Sequence, residues 1–408
     1  MRVYKGVSVE SIDRTQKTVL DSQGRITSYD LLILATGSRS ALPKQAPRLE
    51  GIFTMRTRED AENLRRSLSV PGQPGQSAPN SEHTDHVVIV GGGLVGLEMA
   101  AALRHMGLSV TIIHRSSRFL ERQLDPLGSQ MLHDQMVDMS CDIYYNDEVQ
   151  LFYGDRVLSG VRLKSGRYIP CKALIFGIGT QPNIELAQQC GLVCRRGVVV
   201  NERMETTDPS IYAIGEIAEF KGQLFGITSA AEQQAGVLSQ YLQGDIAACY
   251  EGSLLMNIIK IPGFDLCSLG MTERPDDKTY EEIIFIDKAK RYYKKCVIHR
   301  DRLVGAILIG DKNEFQEFKE LIAGKLELSE KRLQLLRSGK RSEPVLGKLV
   351  CSCNNVGSEN LKKAIAAGAD TLDALCSATG AGTGCGSCKP EVKRLLESSI
   401  TPATHIIG

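Results

Sequence analysis

The chain has 408 residues, of which 42% are hydrophobic and 24% are charged, and its net charge is +1. This composition is that of a globular protein with roughly two to four domains, and the near-zero charge gives no support for nucleic-acid binding. No apolar run reaches the ~18 residues of a membrane-spanning helix, so we expect no membrane partner.

The N-terminal segment predicts β structure that ends in a glycine turn. Residues 7–20 alternate apolar and polar side chains, and the apolar run 29–35 predicts a buried strand that leads into Thr36-Gly37. Glycine at such a strand exit lets the backbone approach a ligand closely. Residues 58–68 then predict an amphipathic helix, and the Pro-, Gly- and Ser-rich stretch 71–85 predicts a loop or insertion.

The next segment carries a glycine motif in a specific setting. Residues 87–90 predict a buried strand, 91–96 read Gly-Gly-Gly-Leu-Val-Gly, 97–106 predict a helix, and 110–113 predict a second strand. This is G-x-G-x-x-G in the strand, turn, helix and strand order that dinucleotide binding requires. The helix N-terminus would face a pyrophosphate. The sequence therefore predicts a dinucleotide-binding site.

Two later apolar strands also end in glycines. Residues 173–176 lead into Gly177-Ile-Gly179, and residues 211–214 lead into Gly215 and Glu216. Ligands commonly approach open α/β sheets at strand ends of this kind. We therefore expect three ligand-facing turns in the chain.

The remainder of the chain predicts a helix, a mixed region and a linker. A helix is expected from about 229 to 242, and residues 254–328 predict alternating strands with a closing helix near 314–323. Residues 331–348 are basic and polar, which indicates a linker.

Four of the twelve cysteines form two close pairs, Cys351-x-Cys353 and Cys385-x2-Cys388. Four thiolates are what a [2Fe-2S] cluster requires, whereas the one-residue spacing of the first pair fits zinc poorly. No signal peptide is evident, so we expect a cytoplasmic protein in which disulfides are disfavoured. A [2Fe-2S] cluster is the preferred prediction, and a zinc site, two disulfides or four buried thiols are the alternatives.

The residues around the second cysteine pair support a cluster. Gly382, Gly384 and Gly386 allow tight backbone in which amide N–H groups turn toward sulfur. Pro390 suits the first turn of a following helix, whose positive end would lie beside a negatively charged cluster. The other eight cysteines show no paired ligand pattern, and we expect them to be structural.

The motifs together resemble those of a known family. The segments 29–39, 91–98, 177–183 and 211–216 look like those of FAD-dependent pyridine-nucleotide reductases, over residues 1 to about 325. The end of that region resembles the small cap domain of rubredoxin reductases, and residues 348–398 resemble bacterioferritin-associated ferredoxin. This order is similar to that in nitrite reductase large subunits and in assimilatory nitrate reductase electron-transfer subunits, and the latter are the closer match.

The resemblance implies a fold and a set of domains. The fold class is α/β, with two nested Rossmann-like domains of which the first is incomplete, a small α/β domain and a small helical [2Fe-2S] domain. The expected ranges are a flavin-binding domain at 1–70 and 190–250, an NAD(P)H-binding domain at 71–189, a rubredoxin-reductase-like domain at 251–330, a linker at 331–347 and a [2Fe-2S] domain at 348–400.

The resemblance also implies roles for single residues. The flavin would be approached by Ala35, Thr36, Gly37, Gly215, Glu216 and Thr228, the last near the start of a helix that faces the isoalloxazine ring. The NAD(P)H pyrophosphate would lie against Gly91, Gly93 and Gly96, with Glu98 and Gly179 toward the nicotinamide. Ordinary alternatives remain open, because Ala-Thr-Gly can be a plain strand exit, Glu98 a solvated first-turn carboxylate and Glu216 a simple cap.

Cofactor choice depends on the residues after the second strand of the glycine motif. An NAD site often has a carboxylate there, whereas the 2′-phosphate of NADP favours arginine. This chain has His114 and Arg115, followed by Arg118. The pattern leans toward NADPH, but exposed arginines can also be merely solvated, so the prediction is NAD(P)H.

One departure from the family pattern affects the flavin. The family begins with a βαβ unit that carries its own G-x-G-x-x-G for FAD, and Met1 falls after that point. We expect either a truncated form of a longer protein, which the retained Gly215 and Glu216 favour, or a degenerate chain that binds flavin poorly.

The resemblance implies an NAD(P)H-dependent oxidoreductase that passes electrons through FAD and the [2Fe-2S] cluster to a nitrate or nitrite reductase catalytic subunit or domain. The cofactors carry the chemistry, so no acid–base pair is expected among the protein side chains. The alternatives are a ferredoxin-like or regulatory NAD(P)H-binding module without flavin, and a reductase for iron release or a rubredoxin-type protein.

Overall fold

The computed structural model describes residues 2–68, 86–329, 331–335 and 344–400. The predicted insertion at 71–85 and residues 336–343 of the predicted linker at 331–348 lie outside these ranges. Within them, no helix is both long enough and apolar enough to cross a membrane.

The secondary structure follows the predicted alternation of strands and helices. The strands of the first half are β1 (Val9–Asp13), β2 (Thr18–Asp21), β3 (Ile26–Ser28), β4 (Leu32–Leu34), β5 (Ser38–Ser40), β6 (Ile52–Thr54), β7 (His86–Val90), β8 (Ser109–His114), β9 (Asp142–Tyr145), β10 (Val149–Tyr153), β11 (Gly160–Leu163), β12 (Tyr168–Pro170), β13 (Ala173–Phe176) and β14 (Thr180–Pro182). Those of the second half are β15 (Val198–Val200), β16 (Ile211–Ala213), β17 (Ala218–Phe220), β18 (Gln223–Leu224), β19 (Met256–Ile261), β20 (Phe264–Gly270), β21 (Tyr280–Asp287), β22 (Tyr292–His299), β23 (Arg302–Ile309), β24 (Leu349–Cys351) and β25 (Val356–Gly357).

The helices are short to medium in length, and the longest begins at the predicted Thr228. They are α1 (Arg58–Ser67), α2 (Leu94–His105), α3 (Pro126–Asp138), α4 (Glu185–Gln189), α5 (Thr228–Leu242), α6 (Phe315–Ala323), α7 (Lys331–Gln334), α8 (Ser358–Ala366), α9 (Leu372–Thr379) and α10 (Lys389–Ile400), with a 3-10 turn at Gly215–Ile217.

The chain divides into two compact units. Unit 1 contains residues 1–39 and 180–255, and unit 2 contains residues 40–179 and 256–408. This division is coarser than the predicted domains, so the predicted domain bounds stay a prediction.

Unit 1 is built from small sheets. These are β1-β2-β3, β15-β17-β18 and the parallel pair β16-β4, in which Leu32 lies opposite Ile211. The prediction that the run 29–35 is buried was wrong in part, because Leu31 is 47% exposed and Ile33 is 45% exposed. In the described chain β4 pairs with β16 alone, so these two side chains lack the cover that a central parallel strand normally has.

Unit 2 contains the larger sheets. A five-stranded parallel sheet has the order β6-β13-β7-β8-β9, and a five-stranded antiparallel sheet has the order β19-β20-β23-β22-β21. Helix α2 contributes Leu97, Ala100 and Ala101 to a core that also contains Ile259 of β19. These two five-stranded sheets therefore share one hydrophobic core, which fixes β19 next to α2.

A buried polar cluster joins the start of α3 to the antiparallel sheet. The Asp125 carboxylate caps α3 by accepting the Gly128 N–H at 2.9 Å, and it accepts the Tyr293 hydroxyl at 2.6 Å and the Lys295 ammonium at 3.1 Å. Glu282 pairs with the same ammonium at 2.9 Å. Because a buried charge is costly unless it is paired, this arrangement specifies one way of packing α3 against β22.

The cysteine-bearing region is a small helical domain. The hairpin β24-β25 precedes α8, α9 and α10, and the apolar side chains of these helices form their own core around Leu361, Leu375 and Val392. Helix α10 begins at Lys389 with Pro390 in its first turn, as predicted.

Candidate functional site

The glycine turn between β7 and α2 allows no side chain at two of its positions. Gly91 has φ +119°, and a Cβ there would lie 2.4 Å from the Gly177 carbonyl oxygen. A Cβ on Gly96 would lie 2.0 Å from the Gly91 carbonyl oxygen. Both glycines are therefore required by the close packing of the turn, which is how dinucleotide-binding turns use them.

Gly93 has a different environment, which suits an anion. A Cβ on Gly93 would meet only the Gly177 oxygen, at 3.9 Å. Gly93 is also the N-cap of α2, and no side chain of the described residues caps that helix. The first amide N–H groups of α2 are thus available beside open space, an arrangement that favours a pyrophosphate.

His114 supports the turn rather than facing outward. Its Nδ1 accepts the Gly92 N–H at 3.0 Å, and its Nε2 donates to the Arg118 carbonyl at 3.0 Å, so the imidazole is neutral. Burial lowers the pKa of His114, which favours the same form. His114 therefore holds the glycine turn in place, a supporting role that its prediction as a cofactor-binding residue did not include.

The two arginines after β8 have different surroundings. Arg118 forms an ion pair with Glu273 at 2.8 Å. Arg115 is exposed and forms no hydrogen bond or ion pair with the residues that the structure describes. Of the two arginines, Arg115 is therefore the one whose charge has no partner among the described residues.

Glu98 points from α2 toward β19. Its Oε1 accepts the Lys260 backbone N–H at 2.9 Å. Burial raises the pKa of Glu98, and the hydrogen bond from Lys260 opposes that rise. Glu98 is thus not a freely solvated first-turn carboxylate, and its partner was not foreseen because it lies 162 residues away along the chain.

Gly179 is the other residue predicted near the nicotinamide. Its φ is +107°, and its carbonyl accepts the Ala41 N–H at 2.9 Å.

In unit 1 the strand exit at Ala35-Thr36-Gly37 is fixed by an asparagine. The Thr36 hydroxyl donates to the Asn183 carbonyl at 2.7 Å, and the Asn183 amide donates to the Thr36 carbonyl at 2.9 Å. Gly37 has φ +63°, a left-handed conformation that glycine adopts without strain. Asn183 had been identified only as part of a motif, and its pairing with Thr36 is a finding of the structure.

The exit of β16 is fixed in a similar way. The Gly215 N–H donates to the buried Gln234 side-chain oxygen at 2.7 Å, and Gly215 has φ +79°. The Thr180 hydroxyl donates to Glu216 Oε1 at 2.5 Å. Among the described residues no side chain caps α5, whereas the Ala230 N–H already donates to the Ile227 carbonyl at 3.1 Å. The amide N–H groups at the very start of α5, at Thr228 and Ser229, are therefore the ones that could face an anionic group.

The four paired cysteines converge in unit 2. Cys351 ends β24, Cys353 lies in the hairpin turn, and Cys385 and Cys388 lie in the loop before α10. The Sγ atoms of Cys353 and Cys385 are 3.2 Å apart. Hydrogen bonds between the thiols lower the pKa of Cys351 and Cys385 and raise the pKa of Cys353 and Cys388.

The surroundings of these sulfurs fit a thiolate cluster. Backbone N–H groups of Gly382, Asn354, Cys385 and Ser387 point at cysteine sulfurs, as the glycines of the loop predict. Such N–H groups favour thiolate ligands and tune a cluster. No group of three or more His, Cys, Asp or Glu side chains in the described chain is arranged to hold a single metal ion, and none of the twelve cysteines is in a disulfide.

Comparison with protein-family models shows which family the chain belongs to. A family model described as pyridine nucleotide-disulphide oxidoreductase matches residues 1–235. The chain belongs to that family. A rubredoxin NAD+ reductase C-terminal domain matches residues 256–326, and a BFD-like [2Fe-2S] binding domain matches residues 349–398. These matches confirm the predicted fold class and the predicted set of FAD, NAD(P)H and a [2Fe-2S] cluster.

Individual relatives agree with this membership. The chain is 30% identical to nitrite reductase [NAD(P)H] of Bacillus subtilis over 98% of its own length and 49% of the relative's, and 30% identical to the assimilatory nitrate reductase electron transfer subunit of the same organism, over 97% and 50%. It therefore spans about half the length of these relatives. A crystal structure of a covalent putidaredoxin reductase–putidaredoxin complex is similar with a TM-score of 0.69 and 27% identity, over 79% of this chain and 76% of that one.

Proposed function

We propose that this chain takes electrons from NAD(P)H and delivers them singly, through its cysteine domain, to the catalytic part of an assimilatory nitrate or nitrite reductase. The observation that carries the proposal is the placement of the glycine turn and the four cysteines within one compact unit. Lys260 connects them, because its backbone binds Glu98 of α2 and its side chain lines the same pocket as the cysteines.

The residues of unit 2 bind and orient the nucleotide. The free amide N–H groups after Gly93 hold the pyrophosphate, and His114 keeps the turn in shape through the Gly92 N–H. Arg115 binds the 2′-phosphate of NADPH, and the half-buried Glu98 and the exposed Gly179 border the nicotinamide. None of these residues needs to transfer a proton, so positioning is their contribution.

The residues of unit 1 hold the flavin. Gly37 and Gly215 let the backbone approach it, Glu216 contacts its ribityl and pyrophosphate region, and the start of α5 at Thr228 faces its ring. When bound, FAD and a [2Fe-2S] cluster supply the conversion of a two-electron donor into single electrons. Cys351, Cys353, Cys385 and Cys388 hold that cluster, and the amide N–H groups around them stabilise their thiolates.

The acceptor and the location are inferred from the relatives and the thiols. Two relatives are named for nitrite reduction and for electron transfer in nitrate reduction, which supports a nitrate or nitrite reductase subunit or domain as the acceptor. None of the twelve cysteines is in a disulfide, which fits action in the reducing cytoplasm.

A reduction assay with an artificial acceptor tests this proposal. The purified chain, supplied with FAD, iron and sulfide, should reduce ferricyanide with NADPH as the donor, and omission of FAD should abolish the rate. A chain that retains FAD and the cluster but oxidises no NADPH would contradict the proposal.

A second candidate is a ferredoxin-like or regulatory module that binds NAD(P)H without flavin. The exposed Ile33 on β4 and the exposed Leu31 just before it favour this candidate, because they leave the flavin-side strand partly uncovered. NADPH binding with cluster absorbance but no FAD binding by equilibrium dialysis would select this candidate.

A further inference from the structure

The loop that carries Cys385 rests on a helix of the neighbouring domain. The Lys319 ammonium of α6 donates to the Thr383 carbonyl. The Thr383 hydroxyl donates to the Gly380 carbonyl at 2.7 Å and lies 3.4 Å from the Gln316 side-chain oxygen of α6. The Phe315 ring lies 3.5 Å from the position of a Cβ on Gly384. Phe315, Gln316 and Lys319 of α6 therefore all lie against the cysteine loop.

Two lysines from outside the cysteine domain come close to the sulfurs. Lys319 is half-buried and interacts electrostatically with Cys353. Lys260 on β19 is more exposed, lines the pocket that contains the four cysteines, and interacts electrostatically with Cys385. Neither side chain belongs to the ligand-bearing segment, so both charges are supplied by the reductase part of the chain.

A positive charge at either place shifts the reduction potential of the cluster in a known direction. Reduction of a thiolate-ligated cluster adds one negative charge to a site that is already negative. A nearby positive charge stabilises the reduced form more than the oxidised form, and hydrogen bonds and local charge are recognised controls on cluster potential. The half-buried Lys319 is screened less by salt than the exposed Lys260, so its effect should be larger.

We propose that Lys319 and Lys260 raise the reduction potential of the [2Fe-2S] cluster, and that Lys319 also positions the cysteine loop on α6. The inference rests on the assignment of the four cysteines as cluster ligands. As a consequence, the reductase part of the chain both delivers electrons to the cluster and makes the cluster a better acceptor of them.

The test is a reductive titration of the whole chain, with the cluster reconstituted from iron and sulfide and its reduced form followed by electron paramagnetic resonance. Lys319→Met should lower the equilibrium constant for one-electron reduction about tenfold, which equals about 59 mV. Lys260→Met should lower it by a smaller factor that shrinks as potassium chloride is added. Lys319→Arg, which keeps the charge, should restore most of the potential.

A matched control and the contrary outcomes complete the design. Lys362→Met removes the same charge from α8, where Lys362 pairs with Glu359, and should leave the potential unchanged. Equal potentials in wild type, Lys319→Met and Lys260→Met would overturn the proposal, as would an equal loss in Lys319→Arg and Lys319→Met. If Lys319→Met fails to fold, Lys260→Met decides the charge effect alone. Absence of any cluster signal in wild type would instead overturn the ligand assignment.

Discussion

The nucleotide turn of unit 2 and the flavin side of unit 1 differ in how fully the described residues build them. In unit 2 the uncapped start of α2 leaves amide N–H groups available next to Gly93, and His114 holds the turn through the Gly92 N–H. In unit 1 Thr36 and Gly215 are firmly held, yet β4 pairs with β16 alone within the described chain. The comparison shows that the residues expected to contact a cofactor can be held in place even where the strand beside them has no second neighbouring strand.

The largest expected effect concerns the cysteines, which belong to the more fully built unit. Cys353→Ser should weaken iron binding at least about a hundredfold, because one of four thiolate ligands is lost. Iron and sulfide content per chain measures the loss. Cys376→Ser, a buried thiol of the same domain outside the two pairs, should retain the iron. Equal iron loss in both variants would mean that the domain unfolds rather than that a ligand is missing.

The next effect separates the two units directly. Gly96→Val places side-chain atoms against the Gly91 carbonyl and should weaken NADPH binding by about a hundredfold, or about 2.7 kcal/mol. FAD binding, which depends on unit 1, should stay within about twofold of wild type. Calorimetric titration with each cofactor measures both. A variant that loses both cofactors equally would break the distinction between the units.

A smaller effect tests which arginine reads the 2′-phosphate. Arg115→Ala should lower the preference for NADPH over NADH about tenfold, since a charged hydrogen bond contributes about 1.5–3 kcal/mol. Arg118→Ala is the matched control, because Arg118 is already paired with Glu273. The ratio of kcat/KM for the two nucleotides is the readout. A larger shift in the Arg118 variant would reverse the assignment.

In unit 1 a single methyl group should have a moderate effect. Gly215→Ala forces a non-glycine residue to φ +79°, which costs about 1 kcal/mol and should weaken FAD binding several-fold. Gly236→Ala on α5 is the control, since a Cβ there meets nothing within 4 Å. Fluorescence titration with FAD compares the two. Unchanged FAD affinity in the Gly215 variant would show that the flavin does not approach this turn.

The smallest effect is a pH dependence of the nucleotide turn. Burial lowers the pKa of His114 below its usual 6.5, so the unfolded chain binds the proton more readily than the folded one. The contribution of His114 to stability is therefore complete above pH 6.5 and is lost as the pH falls below that value. Protonation also removes the acceptor for the Gly92 N–H. NADPH affinity should fall by a few-fold on acidification in wild type, and His114→Phe should show a weaker, flatter profile.

The sequence predicted the chemistry at each site better than it predicted how the sites are supported. The strand, turn and helix around Gly91 follow from local spacing, as do the two close cysteine pairs themselves. The contacts from Asn183 to Thr36, from Lys260 to Glu98 and from Lys319 to Thr383 join segments that are far apart in the chain. Local patterns contain no information about such pairs. The exposure of Ile33 was missed for the same reason, because an apolar run does not reveal whether a neighbouring strand covers it.

Anaerobic mixing with NADPH is the most direct test of the proposed electron route. The chain, supplied with FAD and a reconstituted cluster, should give the paramagnetic signal of the reduced cluster when NADPH is added, and Cys353→Ser should give none. A cluster that dithionite reduces but NADPH does not, in protein shown to bind both FAD and NADPH, would contradict the account.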